Sequence, residues 1–486
     1  MDSGIITTIK DFLKEDLGIY IARYRPLWAI HRILAISVFD LNFSLYLAYI
    51  GLLAALTSFF LYKFCITVGF SFFQSLLFGI VSLIGNASVI WFEIADSENI
   101  GMFFLSLTLF FMAKSVYAIK NVTMYKAGFF IFLICMSACK ESFILFIPPI
   151  MFLYLWLYSQ KHNTKIFIAL KKNVPEFLIT SIIFLGSLLM VWIFVLGNGP
   201  RYSGFGSGIF SSKALTDYFK LFFSLRISYL IITGILCLII YKIIQNKKIT
   251  GKSEILYFLK NNFLNITILF FLITLPQYLN YYKSSLLNRY YVPFILGFSF
   301  FLIFLYNRIM ITDYISKGVK IVFSVLIIVF IFVELRINTF PRFIQYSGEQ
   351  KVTNTFMKSI TSAISKDSTV LIVMEPVQQA VQGIALLSYL RDAEDYQNIK
   401  MKFMRKEVIS SVFSDTAYYN ATFNRMSALY GKQSFDSIKI KDQINAVAIL
   451  TGLEEKFLNE NTTWFKPVNF RREKHGGYVV YIRNGI

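Results

Sequence analysis

Hydrophobic and polar positions alternate along this chain in long blocks rather than in short periods. Nearly unbroken apolar runs cover 41–62, 101–113, 129–139, 177–196, 229–241 and 319–333, and short polar stretches separate them. Several approach the length needed to cross a hydrocarbon layer of about 30 Å. Within lipid a helix satisfies its own backbone, so these runs predict membrane-spanning helices. With boundaries drawn at charges and at Gly, Pro and Asn clusters, about ten are expected, at 41–63, 71–92, 100–118, 126–139, 143–158, 177–196, 224–243, 256–276, 291–307 and 319–338. Beyond about residue 340 the blocks give way to candidate strands at 369–374, 446–450 and 478–482, set among helical stretches. The expected architecture is an α-helical polytopic membrane protein over residues 1–340, with a C-terminal soluble α/β domain over 341–486.

Composition sharpens this picture. Of 486 residues 56% are hydrophobic, and Phe alone accounts for 52, more apolar surface than a soluble core of this size needs. A formal charge of +20 raises the question of nucleic acid, but the cations sit in short loops between apolar blocks, where they act as topology signals. One set of alternate loops holds fifteen: Lys63, Lys114, Lys120, Lys126, Lys161, Lys165, Lys171, Lys172, Lys242, Lys247, Lys248, Lys252, Arg308, Lys317 and Lys320. The other set holds six, Lys140, Arg201, Lys213, Lys220, Lys283 and Arg289, together with the acidic Glu93, Asp96 and Glu98. The positive-inside rule makes the first set cytoplasmic, so the second set and the C-terminal domain are expected to face outward. An even number of crossings then leaves residues 1–40 outside as well. Either a crossing precedes Met1 or this short segment is carried over without one. The four cysteines lie in or beside apolar blocks and read as packing residues.

Polar residues on one rim of a helical bundle are costly to keep beside lipid and are candidates for function. The N-terminal stretch carries Asp2, Asp11 and Asp16 and ends in Tyr24-Arg25-Pro26-Leu27, before an amphipathic run at 28–39 expected to lie along the interface with its apolar side toward lipid. It reads as a solvated loop or as the carrier of a general base. Glu93, Asp96 and Glu98 crowd one hairpin, which fits a cation, a bound donor group or a solvated turn. Lys140 and Glu141 in Cys139-Lys140-Glu141-Ser142 are sequence neighbours, so on a helix they would address different partners. Lys283 and Asn288-Arg289-Tyr290-Tyr291 stand where a helix re-enters the membrane, and the planar fork of Arg289 suits a phosphate, bound or lipid. No Walker loop, glycine fingerprint or metal-spaced histidine set is present. An ordinary secondary transporter is also disfavoured, because no paired halves, broken helices or mid-membrane carboxylates are evident in the pattern.

These outward motifs resemble those of the GT-C superfamily of polytopic membrane glycosyltransferases. Tyr24-Arg25-Pro26-Leu27 is similar to the Tyr-Arg-Pro of the protein O-mannosyltransferase-like branch, Glu93 to its second-loop carboxylate, Cys139-Lys140-Glu141-Ser142 to its Ser-Lys-Glu-Ser run, and Arg289-Tyr290-Tyr291 with Pro293 to an Arg-Tyr that opens a late helix. The matches are short but keep their order and sidedness across residues 2–293. The resemblance implies an inverting transfer of one hexose from a polyprenyl-phosphate-linked donor to a surface polysaccharide, such as a lipopolysaccharide O-antigen unit, on the periplasmic face of a bacterial inner membrane. It also implies a general base at Asp2, which stands 23 positions ahead of Arg25, with Asp11 and Asp16 as alternatives. Arg289, Lys283, Lys140 and Arg25 would hold the donor phosphate. Glu93, Glu98 and Glu141 would orient the acceptor or bind a metal, and the need for a divalent metal is left open. Expected partners are the lipid-linked donor, the polysaccharide acceptor and the membrane, with no nucleic acid. The competing expectations are a lipid or polysaccharide flippase, a non-catalytic scaffold, and an O-antigen ligase or polymerase.

Overall fold

A computed structural model describes residues 24–39, 43–92, 97–196, 212–246, 263–281, 288–311, 315–375, 389–404 and 444–485, together with 379, 383, 386 and 387. The chain divides into two compact units, Met1–Phe343 and Ile344–Ile486. Asp2, Asp11, Asp16, Glu93, Asp96, Arg201 and Lys283 lie outside the described residues.

The first unit is helical. Its helices are α1 (Pro26–Phe39), α2 (Phe43–Val68), α3 (Phe72–Val81), α4 (Ser97–Tyr117), α5 (Val122–Ser137), α6 (Glu141–Ile144), α7 (Ile147–Lys161), α8 (Ile166–Lys172), α9 (Val174–Val191), α10 (Ser212–Ser224), α11 (Arg226–Asn246), α12 (Leu264–Tyr281), α13 (Val292–Ile311) and α14 (Lys317–Glu334). Each of the ten expected spans has a helical counterpart. Among the described residues, six helices are able by length and apolar composition to cross a membrane, or up to eight if each of two bent pairs is one span. These long apolar helices mark the chain as membrane-embedded.

The bends correct two expectations. The span expected at 71–92 is broken: α3 and the 3-10 segment Gly85–Trp91 meet at 73°. Gly85 has φ +83°, a left-handed conformation that side chains resist, and the Glu334 carboxylate stands 3.1 Å from where its Cβ would be. A larger residue has neither the conformation nor the space. The second break falls at Leu225, between α10 and α11, with a bend of 83° over Leu215–Ser224 and Arg226–Ile239. Lys220, expected in a loop, is therefore helical. The apolar side of α1 also differs from expectation. Trp28 is 3% exposed, covered by Arg25 and Arg32 at 3.9 and 5.3 Å from its ring, while Leu34 and Val38 stay exposed.

Burial is uneven among the spans. In the span Glu141–Lys161, 78% of the residues in its apolar window are buried, but in Val174–Phe194 only 11% are, so α9 presents most of its side chains outward. Close approach in the interior relies on small residues: a Cβ at Gly101 would collide with the Phe143 ring, and one at Gly128 with the Phe111 ring. Cys65 and Cys139 are fully buried, and all four cysteines are unbridged.

In the second unit, α15 (Phe340–Thr361) leads into a five-stranded sheet of order β2-β1-β3-β5-β4, formed by β1 (Thr369–Met374), β2 (Ile399–Phe403), β3 (Ile444–Ile449), β4 (Phe470–His475) and β5 (Tyr478–Arg483). β1 is parallel to β2 and β3, whereas β5 is antiparallel to both β3 and β4. Alternate residues of β1 face two cores: Val370, Ile372 and Met374 pack with Phe356 and Ile360, and Leu371 and Val373 with Phe457 and Phe465. β2 and β4 were not among the expected strands. β4 reads Phe-Arg-Arg-Glu-Lys-His, the charged composition that protects an edge from pairing with another chain.

Arg472 on β4 donates from Nε and Nη2 to the two oxygens of Glu454, at 2.6 and 2.9 Å, and the Tyr481 hydroxyl donates to the same carboxylate at 2.6 Å. The bonds from Arg472, joined by that from Tyr481, hold the Glu454 carboxyl below the usual carboxylate range despite burial. A depressed value means stabilisation present above the ordinary glutamate range near 4.3 and lost as pH falls through the folded value. Glu454→Gln should cost about 1 kcal/mol at neutral pH, the scale of a solvent-screened pair. Hydrogen exchange on β4 and β5 of the full chain should show faster opening in the variant at pH 7, by a margin that shrinks as pH falls below the ordinary glutamate range. Separately, Gly85→Ala should cost about 1–2 kcal/mol through its left-handed backbone, lowering the thermal midpoint of the detergent-solubilised protein.

Candidate functional site

The site begins with a helix end. α4 starts at Ser97, which puts Glu98 in its first turn, where the positive end of the helix dipole favours a carboxylate. Glu98 is 4% exposed, accepts from the Ser97 hydroxyl at 3.1 Å, and is bonded to the ammonium of Lys140, itself 4% exposed. A buried pair of this kind costs desolvation on both sides, which the mutual attraction offsets only while both partners are present.

Lys140 is placed by the junction between α5 and α6. α5 ends at Ser137, the backbone of Lys140 is extended, and Glu141 opens the next short helix. The helix-terminal carbonyl of Ala138 accepts the Leu27 N–H at 3.0 Å, so the Tyr24-Arg25-Pro26-Leu27 run caps the turn that carries Lys140. From α12, the Gln277 side-chain amide donates to the Ser142 carbonyl. Glu141 is half-buried, with Oε2 out of contact with solvent.

Arg289 and Tyr290 enter from the 3-10 turn Asn288–Tyr291, which runs into α13; Pro293 is tolerated there because a helix's first turn has no bonding partner for its N–H. The Tyr290 ring is shared by two cations, with Lys140 Nζ at 5.1 Å and the Arg289 guanidinium at 5.4 Å from its centroid. Arg289 also acts electrostatically on the Glu98 carboxylate. Thus Arg25, Glu98, Lys140, Glu141 and Arg289, drawn from four separate parts of the sequence, gather at one end of the bundle. The carboxylate of Glu98 holds the Lys140 ammonium within the protein, and the forked guanidinium of Arg289 has the shape that suits a phosphate.

A second polar cluster, absent from the sequence reading, lies at the same end. Glu334, 6% exposed, meets Arg226 at 3.3 Å and accepts from the Asn338 side chain, just before the π-helical segment Leu335–Thr339. The Gly85 N–H donates to Thr339 Oγ1 at 3.1 Å. Gly85, Arg226, Glu334 and Asn338, with Asn86 and Ser224, line a cavity of about 130 Å³ situated where both bent helix pairs break. The expectation of unbroken helices is corrected here, and Glu334 stands at the end of α14 rather than at its middle. The clue in the sequence was Glu334 itself, a lone acid closing an apolar run. The segment Gly85–Trp91 packs against both Asn288–Tyr291 and Leu335–Thr339, so one wall serves both clusters.

Among the described residues no three His, Cys, Asp or Glu side chains form a metal-binding group, and Glu98 is engaged by Lys140; Glu93 and Asp96 lie outside those residues.

Removing one member of the Glu98–Lys140 pair should be far worse than removing both. Lys140→Met is expected to cost about 3–5 kcal/mol by stranding the Glu98 charge, and Glu98→Gln added to it should recover most of that loss. Thermal unfolding of the two variants and the parent in detergent checks this.

No family model matches the chain, and no curated protein matches it, so the GT-C resemblance rests on the motifs and their placement.

Proposed function

We propose that the protein is a GT-C-type glycosyltransferase that moves a hexose from a polyprenyl-phosphate-linked donor to a surface polysaccharide of the O-antigen type. The observation that carries this reading is the convergence of the Tyr24–Leu27 run, the Lys140 turn and Arg289-Tyr290 at one end of the bundle. In this reading the bundle crosses a bacterial inner membrane about ten times, counting the shorter apolar helices as spans. That end, with the C-terminal domain, faces outward. The acceptor hydroxyl attacks the anomeric carbon and yields its proton to a carboxylate, with Asp2, Asp11 or Asp16 as candidates. The bond from sugar to phosphate breaks, and the departing polyprenyl phosphate gains a negative charge that Arg289 stabilises. The polar cavity beside Glu334 and Asn338 offers hydroxyl-binding groups for the sugar, with the Gly85–Trp91 wall joining the two subsites.

One observation favours a second reading. Two broken helices that meet at a polar cavity with a buried carboxylate also suit a carrier that moves a polar or lipid-linked solute without chemistry.

The deciding measurement is transfer of radiolabelled hexose from polyprenyl-phosphate-hexose to lipopolysaccharide by the purified protein. The parent should transfer sugar. Arg289→Ala should lower the rate about a hundredfold, and Arg289→Lys, which keeps charge but loses the fork, should fall between them. Of Asp2→Asn, Asp11→Asn and Asp16→Asn, the one that abolishes turnover identifies the base. Absence of transfer by folded parent protein, with passage of the labelled lipid across vesicles, would replace the enzyme with the carrier.

A further inference from the structure

The break at Leu225 sets α10 across the direction of the spans. α11, which follows it, runs alongside α14 in the opposite sense: Arg226 at its start meets Glu334 at the end of α14, and a Cβ at Gly234 would collide with the ring of Phe323, earlier on α14. α14 has the length of a crossing, its 18 residues covering about 27 Å against a hydrocarbon layer of about 30 Å. Charges close it at both ends, Lys317 at one and Glu334 at the other, as they do where a helix leaves the hydrocarbon. α11 therefore shares the direction of a span, and Leu225 stands at the edge of the membrane, level with Glu334. Since α10 makes an angle of 83° with α11, it runs nearly parallel to the membrane plane at that level.

Three sides of α10 meet three surroundings. One side packs on the bundle: Tyr218 is 1% exposed, with its hydroxyl 2.5 Å from Thr274 Oγ1 on α12, and the Phe222 ring lies 5.7 and 5.1 Å from those of Phe270 and Phe298. On the next side Leu215, Phe219 and Phe223 recur every four residues and are 51, 43 and 51% exposed. Beside them Thr216, Lys220 and Ser224 form an exposed polar stripe, in which Lys220 pairs with Asp217 at 3.3 Å. An apolar stripe flanked by a polar one suits a helix that lies between hydrocarbon and water.

We propose that α10 is an interfacial helix, held to the bundle through Tyr218 and Phe222, whose Leu215, Phe219 and Phe223 insert into the bilayer near the acyl esters. Lys220 reaches the headgroups on its flexible stem. Two grounds make lipid the occupant rather than a partner chain. The stripe stands at the level where the chain leaves the hydrocarbon, so lipid is the adjoining medium. Its three half-exposed side chains also offer only roughly 300 Å², well under the about 800 Å² that each partner buries in a stable protein interface. The bent pair then crosses the membrane through α11 alone. This inference is independent of the glycosyltransferase reading, because no sugar or donor enters it and its test reads lipid contact only.

The test uses the full-length protein in phosphatidylcholine vesicles that carry a photoactivatable diazirine either next to the acyl ester or at the chain end, with a water-soluble diazirine in a third sample. Leu215, Phe219 and Phe223 should take severalfold more label from the ester-proximal probe than from the chain-end probe. Val325 and Val329, half-exposed near the middle of α14, should show the reverse and so calibrate depth within the same molecule. Thr216 and Lys220 should be marked by the water-soluble probe. Preferential labelling of the apolar stripe by the chain-end probe would overturn the proposal and make α10 part of a re-entrant or crossing segment. Labelling of that stripe by the water-soluble probe alone, or by no probe, would also overturn it, because the stripe would then stand clear of the bilayer or lie under protein.

Discussion

Charge inside a lipid-embedded bundle has no water to fall back on, and the arrangement of this protein's helices follows from how each buried charge finds an opposite one. Glu98 is matched by Lys140, Glu176 by Lys126 and Glu334 by Arg226. The partners are 42, 50 and 108 residues apart, so each pair ties together parts of the bundle that are distant in sequence. Apolar packing between helices is permissive about rotation and register, since one Leu–Phe contact resembles another. A carboxylate with a single available cation is not permissive. The pairs therefore act as register pins in a bundle otherwise made of interchangeable surfaces.

The helices themselves were legible because apolar composition is what lipid demands over a whole span, and a block of that length survives small errors at its ends. The breaks were hidden for the same reason. Ile84 and Leu225 are as apolar as their neighbours, and only the +83° φ of Gly85 and the 83° bend after Ser224 reveal that the chain turns there. In the second unit, β1 was legible as a hydrophobic run buried on both faces, whereas β2 and β4 alternate or concentrate charge as edge strands do.

The candidate site was half legible. Sidedness drew attention to Arg25, Glu98, Lys140, Glu141 and Arg289, and these do gather at one end. Partnership was not legible, because whether Lys140 addresses a ligand or Glu98 depends on a distance between helices that no local pattern encodes. Glu334 escaped notice since the end of an apolar run is where a snorkelling acid is also expected. The two ends of the bundle have consequently taken different chemistry: one mixes cations with carboxylates around polar space, the other sets Arg308, Gln160 and Asn307 beside an apolar slot.

The contrast between α7 and α9 carries over to how this protein tolerates change. α9 is among the spans most plainly written in apolar residues, yet it turns nearly all of them outward, so its side chains answer to the solvent and hardly to one another. Any apolar residue of ordinary helix propensity serves at most of its positions, and drift there passes unnoticed by the fold. α7, less apolar on its face, is surrounded on nearly every side, and each of its residues is constrained by a neighbour's shape. Across variants of this protein, α9, though readily recognisable as a membrane helix, should be a stretch whose letters vary freely, while the spans that interlock keep theirs.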